Sequence, residues 1–168
     1  MRKLAIAAAA ATLLAFGAKA TDFEIGVGAN YWYSLHDAVE ESFDKDGLGW
    51  MLSTRIMFTD YIGIGLEVEK SPDNYVELEE PMYAPAAYAI LGDWIYASIG
   101  VGTYFYDGDF ISDTWYALRA GLKFHIAPML VLDINGNYRV DKWDDMGHAK
   151  DNIDGDSVIL GAALRLAF

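Results

Sequence analysis

Charged side chains recur at alternate positions along several stretches of this chain. Glu24, Arg55, Glu67, Glu69, Arg119, Lys123, Asp133, Arg139 and Arg165 each lie on a face of small or polar residues, and the intervening positions are apolar. These are four acids and five bases, in a chain with 12 Lys and Arg against 25 Asp and Glu and a net charge of −13. A solvated surface would mirror that acidic surplus. A balanced set instead predicts ion pairs in a filled interior, where an unpaired charge is costly. The nine residues are therefore expected to form an internal charge network.

Other candidate chemistry is sparse. The three histidines are His36, His125 and His148. Ser34-Leu35-His36-Asp37 holds a nucleophile, a base and an orienting acid, but a triad draws its members from separate, rigid elements. No catalytic residue is assigned, and His125 is read as an interior hydrogen-bonding partner for an acid. Asp151, Asp154 and Asp156 offer oxygen ligands suited to Ca²⁺ or Mg²⁺. They lack the D-x-D-x-D-G spacing, so a solvated acidic segment is the simpler reading and no metal ligand is assigned. With no Cys, disulfides and thiolate sites are excluded. The acidic balance argues against nucleic acid, whose phosphates need cations. No cofactor is expected.

The elements that must position these residues are strands. Residues 1–20 carry a basic start (Arg2, Lys3), an apolar run and Ala18-Lys19-Ala20, the pattern of a cleaved signal peptide. The apolar run is shorter than the roughly 20 residues a spanning helix needs. Without this segment nine Lys and Arg face 25 acids, a net charge of −16. Residues 21–168 then alternate apolar and polar with a period of two, which predicts strands over 22–33, 50–59, 61–70, 82–91, 94–106, 113–126, 129–141 and 157–168. Thr59 falls on the polar face of the second. Pro81 and Pro85 predict a bulge or a late start in the fourth. Long segments (34–49, 71–81, 142–156), the first two acidic, and a short loop at 107–112 alternate with short turns at Asp60, Gly92-Asp93 and Ala127-Pro128.

Ile25-Gly26-Val27-Gly28, Ile62-Gly63-Ile64-Gly65 and Ile99-Gly100-Val101-Gly102 mark an internal repeat of one strand, long loop, strand and short turn. A nucleotide loop is rejected, because no helix pattern or Lys-Ser/Thr follows. Inward-facing glycines that make room inside a narrow barrel, covered by large side chains of neighbouring strands, fit better.

Alternation alone suits a soluble barrel with an apolar core as well as a membrane barrel. Three features favour lipid outside. The polar face is charge-balanced. Aromatics gather at the ends of the apolar faces (Phe23, Tyr31, Tyr33, Trp50, Phe58, Phe105, Tyr116, Phe124, Tyr138, Phe168), as interfacial girdles do. The strands are long enough to cross a bilayer at a tilt. The fold predicted is all-β, an eight-stranded antiparallel up-and-down transmembrane β-barrel with both ends of the chain on the short-turn side.

In this architecture the chain resembles the small eight-stranded outer-membrane β-barrels of Gram-negative bacteria, the group of the OmpX-like proteins and the OmpA transmembrane domain. Gly161, Leu164, Leu166 and Phe168 match that family's C-terminal assembly signal, with Leu where the family often has aromatics. The resemblance implies location in the outer membrane and contact with its lipid and lipopolysaccharide. It also implies recognition by the barrel-assembly machinery. Some family members modify lipid A, one deacylase group through His-x-Ser, but His125-Ile126-Ala127 lacks the Ser. The function expected is non-enzymatic: a monomeric barrel with a plugged, charge-networked lumen and acidic extracellular loops, structural or surface-interacting, with divalent cations able to bridge the loops to lipopolysaccharide phosphates. The alternatives are a narrow channel for small solutes and a lipid A-modifying enzyme.

Overall fold

The computed structural model describes residues 22–34, 46–72, 82–106, 109–140 and 157–168. Eight strands run in chain order: β1 (Asp22–Ser34), β2 (Asp46–Met57), β3 (Ile62–Lys70), β4 (Tyr83–Gly92), β5 (Ile95–Tyr106), β6 (Asp109–Ala127), β7 (Leu130–Val140) and β8 (Ser157–Ala167). Each pairs antiparallel with the next, and β8 pairs with β1, closing a barrel. The closing seam runs from Ser34↔Ser157 to Glu24↔Ala167. Phe168 extends it, donating its N–H to Phe23 O at 2.9 Å, with the two rings 6.2 Å apart. The segment 1–20 and the acidic segments 35–45, 73–81 and 141–156 lie outside the described residues.

The period of two explains the wall. Alternate residues point out and are exposed: Ile25, Val27, Leu52, Ile62, Val68, Ile95, Ile99, Val101, Leu118, Leu122, Ile134, Leu160, Leu164 and Leu166. Exposed Phe58, Tyr61, Trp94, Phe124 and Phe168 sit toward the short turns, and Tyr31, Tyr33, Trp50 and Tyr83 toward the other end. An apolar band between two aromatic girdles is the exterior a bilayer requires. Two outward residues are nevertheless buried, Ile56 and Val140. Ile56 lies in register between Phe23 and Ile64.

Several local expectations are corrected. Residues 109–112 are strand, not loop: Tyr106 pairs with Asp109, leaving only Asp107-Gly108 between them, the dipeptide that suits a two-residue hairpin turn. The register of this hairpin shifts between Thr103 and Tyr104. Pro85 brings no bulge. It pairs in register with Val68, while the β4–β5 pairing passes from Tyr83↔Phe105 to Ala86↔Gly102 without a shift. The missing N–H thus interrupts one ladder only. Thr59 belongs to a turn, where its Oγ1 accepts from the N–H groups of Tyr61 (3.2 Å) and Ile62 (2.9 Å).

The repeat glycines face inward and lie under large side chains. Gly100 stands opposite Tyr88, Gly102 opposite Trp115, and Gly121, outside the repeat, opposite Tyr96. A Cβ at any of the three would overlap the facing ring. A Cβ at Gly26 would come within 2.7 Å of Arg165 Cγ. Gly136 differs: it points outward, and a Cβ there would meet only Leu160 Cδ2 at 3.7 Å. Gly100→Ala is therefore expected to destabilise the barrel by about 1–3 kcal/mol through overpacking. Gly136→Ala should be neutral or slightly stabilising, since a strand glycine without a packing role only adds backbone entropy. Urea unfolding of the two purified variants in detergent checks the contrast.

Candidate functional site in the barrel lumen

The alternation that sends apolar residues outward sends the charges inward. All nine charged residues singled out by their spacing are buried inside the barrel, with exposures of 0% to 6%. They fall into two clusters along the barrel axis.

The cluster nearer the short turns centres on Asp133. Its Oδ2 accepts from Arg55 Nη2 at 2.8 Å and Arg165 Nε at 2.9 Å. Its Oδ1 accepts from the Tyr96 hydroxyl at 2.8 Å and Asn135 Nδ2 at 3.1 Å. Glu24 accepts from Lys123 Nζ at 2.9 Å and lies 3.5 Å from Arg55 and 3.9 Å from Arg165. Arg165 Nη1 also donates to Ser53 Oγ at 3.0 Å. This cluster has three cations and two acids. The surplus falls on Lys123, whose Nζ is 3.9 Å from half-exposed Asp93 at the turn-side rim.

The cluster nearer the loops is balanced. Arg119 forms a two-pronged pair with Glu67, Nη1 to Oε2 at 2.9 Å and Nη2 to Oε1 at 2.5 Å. Its Nη2 also donates to the Tyr88 hydroxyl at 2.9 Å and reaches Glu69 at 3.5 Å. Arg139 Nη2 donates to Glu69 Oε2. Asn137 Nδ2 donates to the Tyr88 hydroxyl at 3.2 Å. A planar guanidinium suits such forked pairing, which a lysine cannot reproduce.

Aromatic faces complete the solvation of three arginines. Arg55 lies 4.4 Å from the Tyr96 ring centre and Arg119 lies 4.0 Å from that of Tyr88. Arg139 sits between Trp32 at 4.7 Å and Trp115 at 3.8 Å. Such contacts strengthen where water is excluded. Trp32, Trp115, Tyr88 and Tyr96 also join Met82, Ala84, Ile90, Ala117 and Ile159 in an internal apolar cluster. The lumen is therefore built in layers. A glycine gives space on one strand, an aromatic ring from the next strand lies over it, a guanidinium stacks on the ring, and a carboxylate meets the guanidinium.

The spacing of charges did not point to the aromatic and amide members of this network. Tyr96, Trp32, Asn135, Asn137 and Ser53 lie on the polar face of their predicted strands, but their role depends on what faces them across the barrel. The available signal was an inward aromatic directly opposite an inward glycine. His125 is corrected: it is exposed at the end of β6 rather than inside, where the β6–β7 register shifts between His125 and Ala127. Ser34 is the buried last residue of β1, while His36, Asp37 and His148 lie outside the described residues. The assembly-signal residues divide by parity. Leu164, Leu166 and Phe168 are exposed on the outer wall. Gly161 faces inward, where a Cβ would collide with Asn30 and Asn135.

The sequence matches the family described as outer membrane protein beta-barrel domain over residues 4–165. Among solved structures the fold is similar to Neisserial surface protein A (NspA), with a TM-score of 0.58 and 14% identity, covering 87% of this chain and 97% of that one. It is similar to the N-terminal β-barrel domain of Pseudomonas aeruginosa OprF, with a TM-score of 0.59 and 12% identity, covering 89% and 98%. It is also similar to Ail, the attachment invasion locus protein of Yersinia pestis, with a TM-score of 0.54 and 18% identity, covering 88% and 98%. At these identities the likeness is one of fold. No curated protein matches the sequence.

Removing a member of the network should cost far more than a surface change. Arg119→Ala leaves Glu67 without its forked partner and is expected to destabilise by about 3–5 kcal/mol. Arg119→Lys should recover only part of that loss. Urea midpoints of the detergent-solubilised variants measure both.

Proposed function

Because the chain belongs to the outer membrane protein beta-barrel family, we propose that it is a non-enzymatic surface barrel whose lumen is closed and whose contacts with other molecules are made by its loops. The observation that carries this reading is the lumen itself. Each of its nine charges meets an opposite charge within 4 Å, and aromatic rings occupy the space between them. An eight-stranded barrel encloses little more than side-chain volume, and here that volume is taken by Arg, Glu, Tyr and Trp. A solute path would require breaking several buried ion pairs at once.

With the lumen closed, the segments between strands on one side remain as the functional surface. They contain Asp37, Glu40, Glu41 and Asp44, then Asp73, Glu77, Glu79 and Glu80, then Asp141, Asp144, Asp145, Asp151, Asp154 and Asp156. On this reading they face outside and meet lipopolysaccharide, divalent cations bridging the acids to its phosphates. Oxygen-rich acidic segments suit Ca²⁺ and Mg²⁺. Two proteins of similar fold carry surface or attachment in their names, Neisserial surface protein A and the attachment invasion locus protein. The same proposal includes export by removal of residues 1–20 and a monomeric barrel. It also includes recognition of Gly161, Leu164, Leu166 and Phe168 by the assembly machinery.

Two experiments test it. In planar bilayers the refolded barrel should give no steady ion conductance, and a persistent conductance in the unmodified protein would overturn the closed lumen. Deletion of Phe168 should reduce the heat-modifiable, outer-membrane form in cells several-fold while the purified variant still refolds in detergent. Phe168 extends the seam by one hydrogen-bonded pair with Phe23, so its loss removes little of the folded barrel.

A further inference from the structure

The two charge clusters approach each other around a small cavity of about 10 Å³, bordered by Arg55, Arg165, Glu67, Arg119, Tyr96 and Ser98. Three buried polar atoms of these residues have no hydrogen-bond partner in the protein: Ser98 Oγ, Arg55 Nη1 and Arg119 Nε. Arg55 Nη1 has only its 3.5 Å ion-pair contact with Glu24. Ser98 is 7% exposed, and the two arginines 3% and 6%. Buried polar atoms are rarely left without a partner, so three around one polar cavity require a common explanation. Among the described residues, no direct hydrogen bond runs from the Asp133 cluster to the Glu67 cluster.

We propose that this cavity is a binding site for a single water molecule, which joins the turn-side and loop-side clusters into one hydrogen-bonded column. Size decides the ligand: about 10 Å³ is the least space that holds one water. Chemistry agrees. Arg55 Nη1 and Arg119 Nε can only donate, so the ligand must accept. The unpartnered Ser98 hydroxyl can both donate and accept, so a ligand that does both completes the set. Water does both. The lumen's five cations against four acids make a small anion the competing ligand, but every one of those cations already lies within 4 Å of a carboxylate and the surplus at Lys123 faces Asp93, so a neutral ligand fits better. Ser98, one strand away from Arg119 and directly opposite it in register, supplies a third hydrogen-bonding group. The inference rests on the closed-lumen reading. It fails separately, because conductance reports the seal and the cavity's occupant reports the water.

A crystal structure of the detergent-solubilised barrel should show one density peak about 2.7–3.2 Å from Ser98 Oγ and Arg119 Nε, the range of ordinary hydrogen bonds. In solution, the Arg119 Nε–H proton should show a nuclear Overhauser contact to a long-lived water. Ser98→Val, which adds a methyl group and removes the hydroxyl, should abolish both signals, whereas Ser98→Ala should retain the crystallographic peak. If Ser98→Val does not fold, the two wild-type measurements still decide. A cavity without density in the wild type would overturn the proposal. So would an anomalous bromide peak there in crystals grown with bromide, which would make the site an anion site.

Discussion

A charge inside this barrel is almost wholly cut off from bulk water, so it must be matched where it stands. The cost of a lone buried ion far exceeds that of any packing fault in the wall. Nine such charges stand in the lumen, and most other inward features follow from them. Arginines dominate the cations because a guanidinium pairs through two prongs and stacks on a ring at the same time. Rings need room, and an eight-stranded barrel has little. The inward glycines supply it, which is why Gly100, Gly102 and Gly121 lie directly under Tyr88, Trp115 and Tyr96. The third copy of the repeat, together with Gly121, is thus the backbone side of a charge-solvation device.

The two ends of the lumen solve the matching differently. The loop-side cluster is neutral and enclosed by tryptophan, with Arg139 held between two indoles. The turn-side cluster has one cation more than its acids, and that cation, Lys123, is the one that reaches the rim at Asp93. An ammonium on a flexible stem can meet partly hydrated acids, which a stacked guanidinium does less well. The surplus charge therefore sits where solvent begins, and the fully enclosed half carries none.

Much of this was legible in the sequence, and what was not has a common cause. Alternation assigned inward and outward parity to each strand, and charge balance along the inward face pointed to pairing. The partners were not legible. Arg55 and Asp133 are 78 residues apart, Lys123 and Glu24 are 99 apart, and Arg165 and Ser53 are 112 apart. Such contacts depend on register and closure, which no local pattern carries. The same limit explains Tyr88 and Trp115, whose roles exist only across from a glycine of another strand. Segment 107–112 was misread for a local reason. Acidic residues flanking Phe110-Ile111 resemble a solvated loop, although the strand pairing already resumes at Tyr106↔Asp109. The bulge expected at Pro85 is absent because its missing N–H faces only one neighbouring strand.

The network also does what alternation cannot, which is to select the register. A slip of one residue between two strands turns inward residues outward. An Arg or Lys driven to the bilayer midplane costs about 2–4 kcal/mol, and five such cations are distributed over β2, β6, β7 and β8. A slip of two residues preserves parity, so the apolar exterior would tolerate it. It would, however, carry Arg119 about 7 Å along the barrel, away from Glu67. A two-residue slip of β4 against β5 would likewise move the Tyr88 ring off Gly100. Ion pairs and ring-on-glycine contacts thus exclude the slips that hydrophobic patterning allows. The lipid-facing wall determines which side of each strand faces out, and the buried charges determine which residue stands beside which.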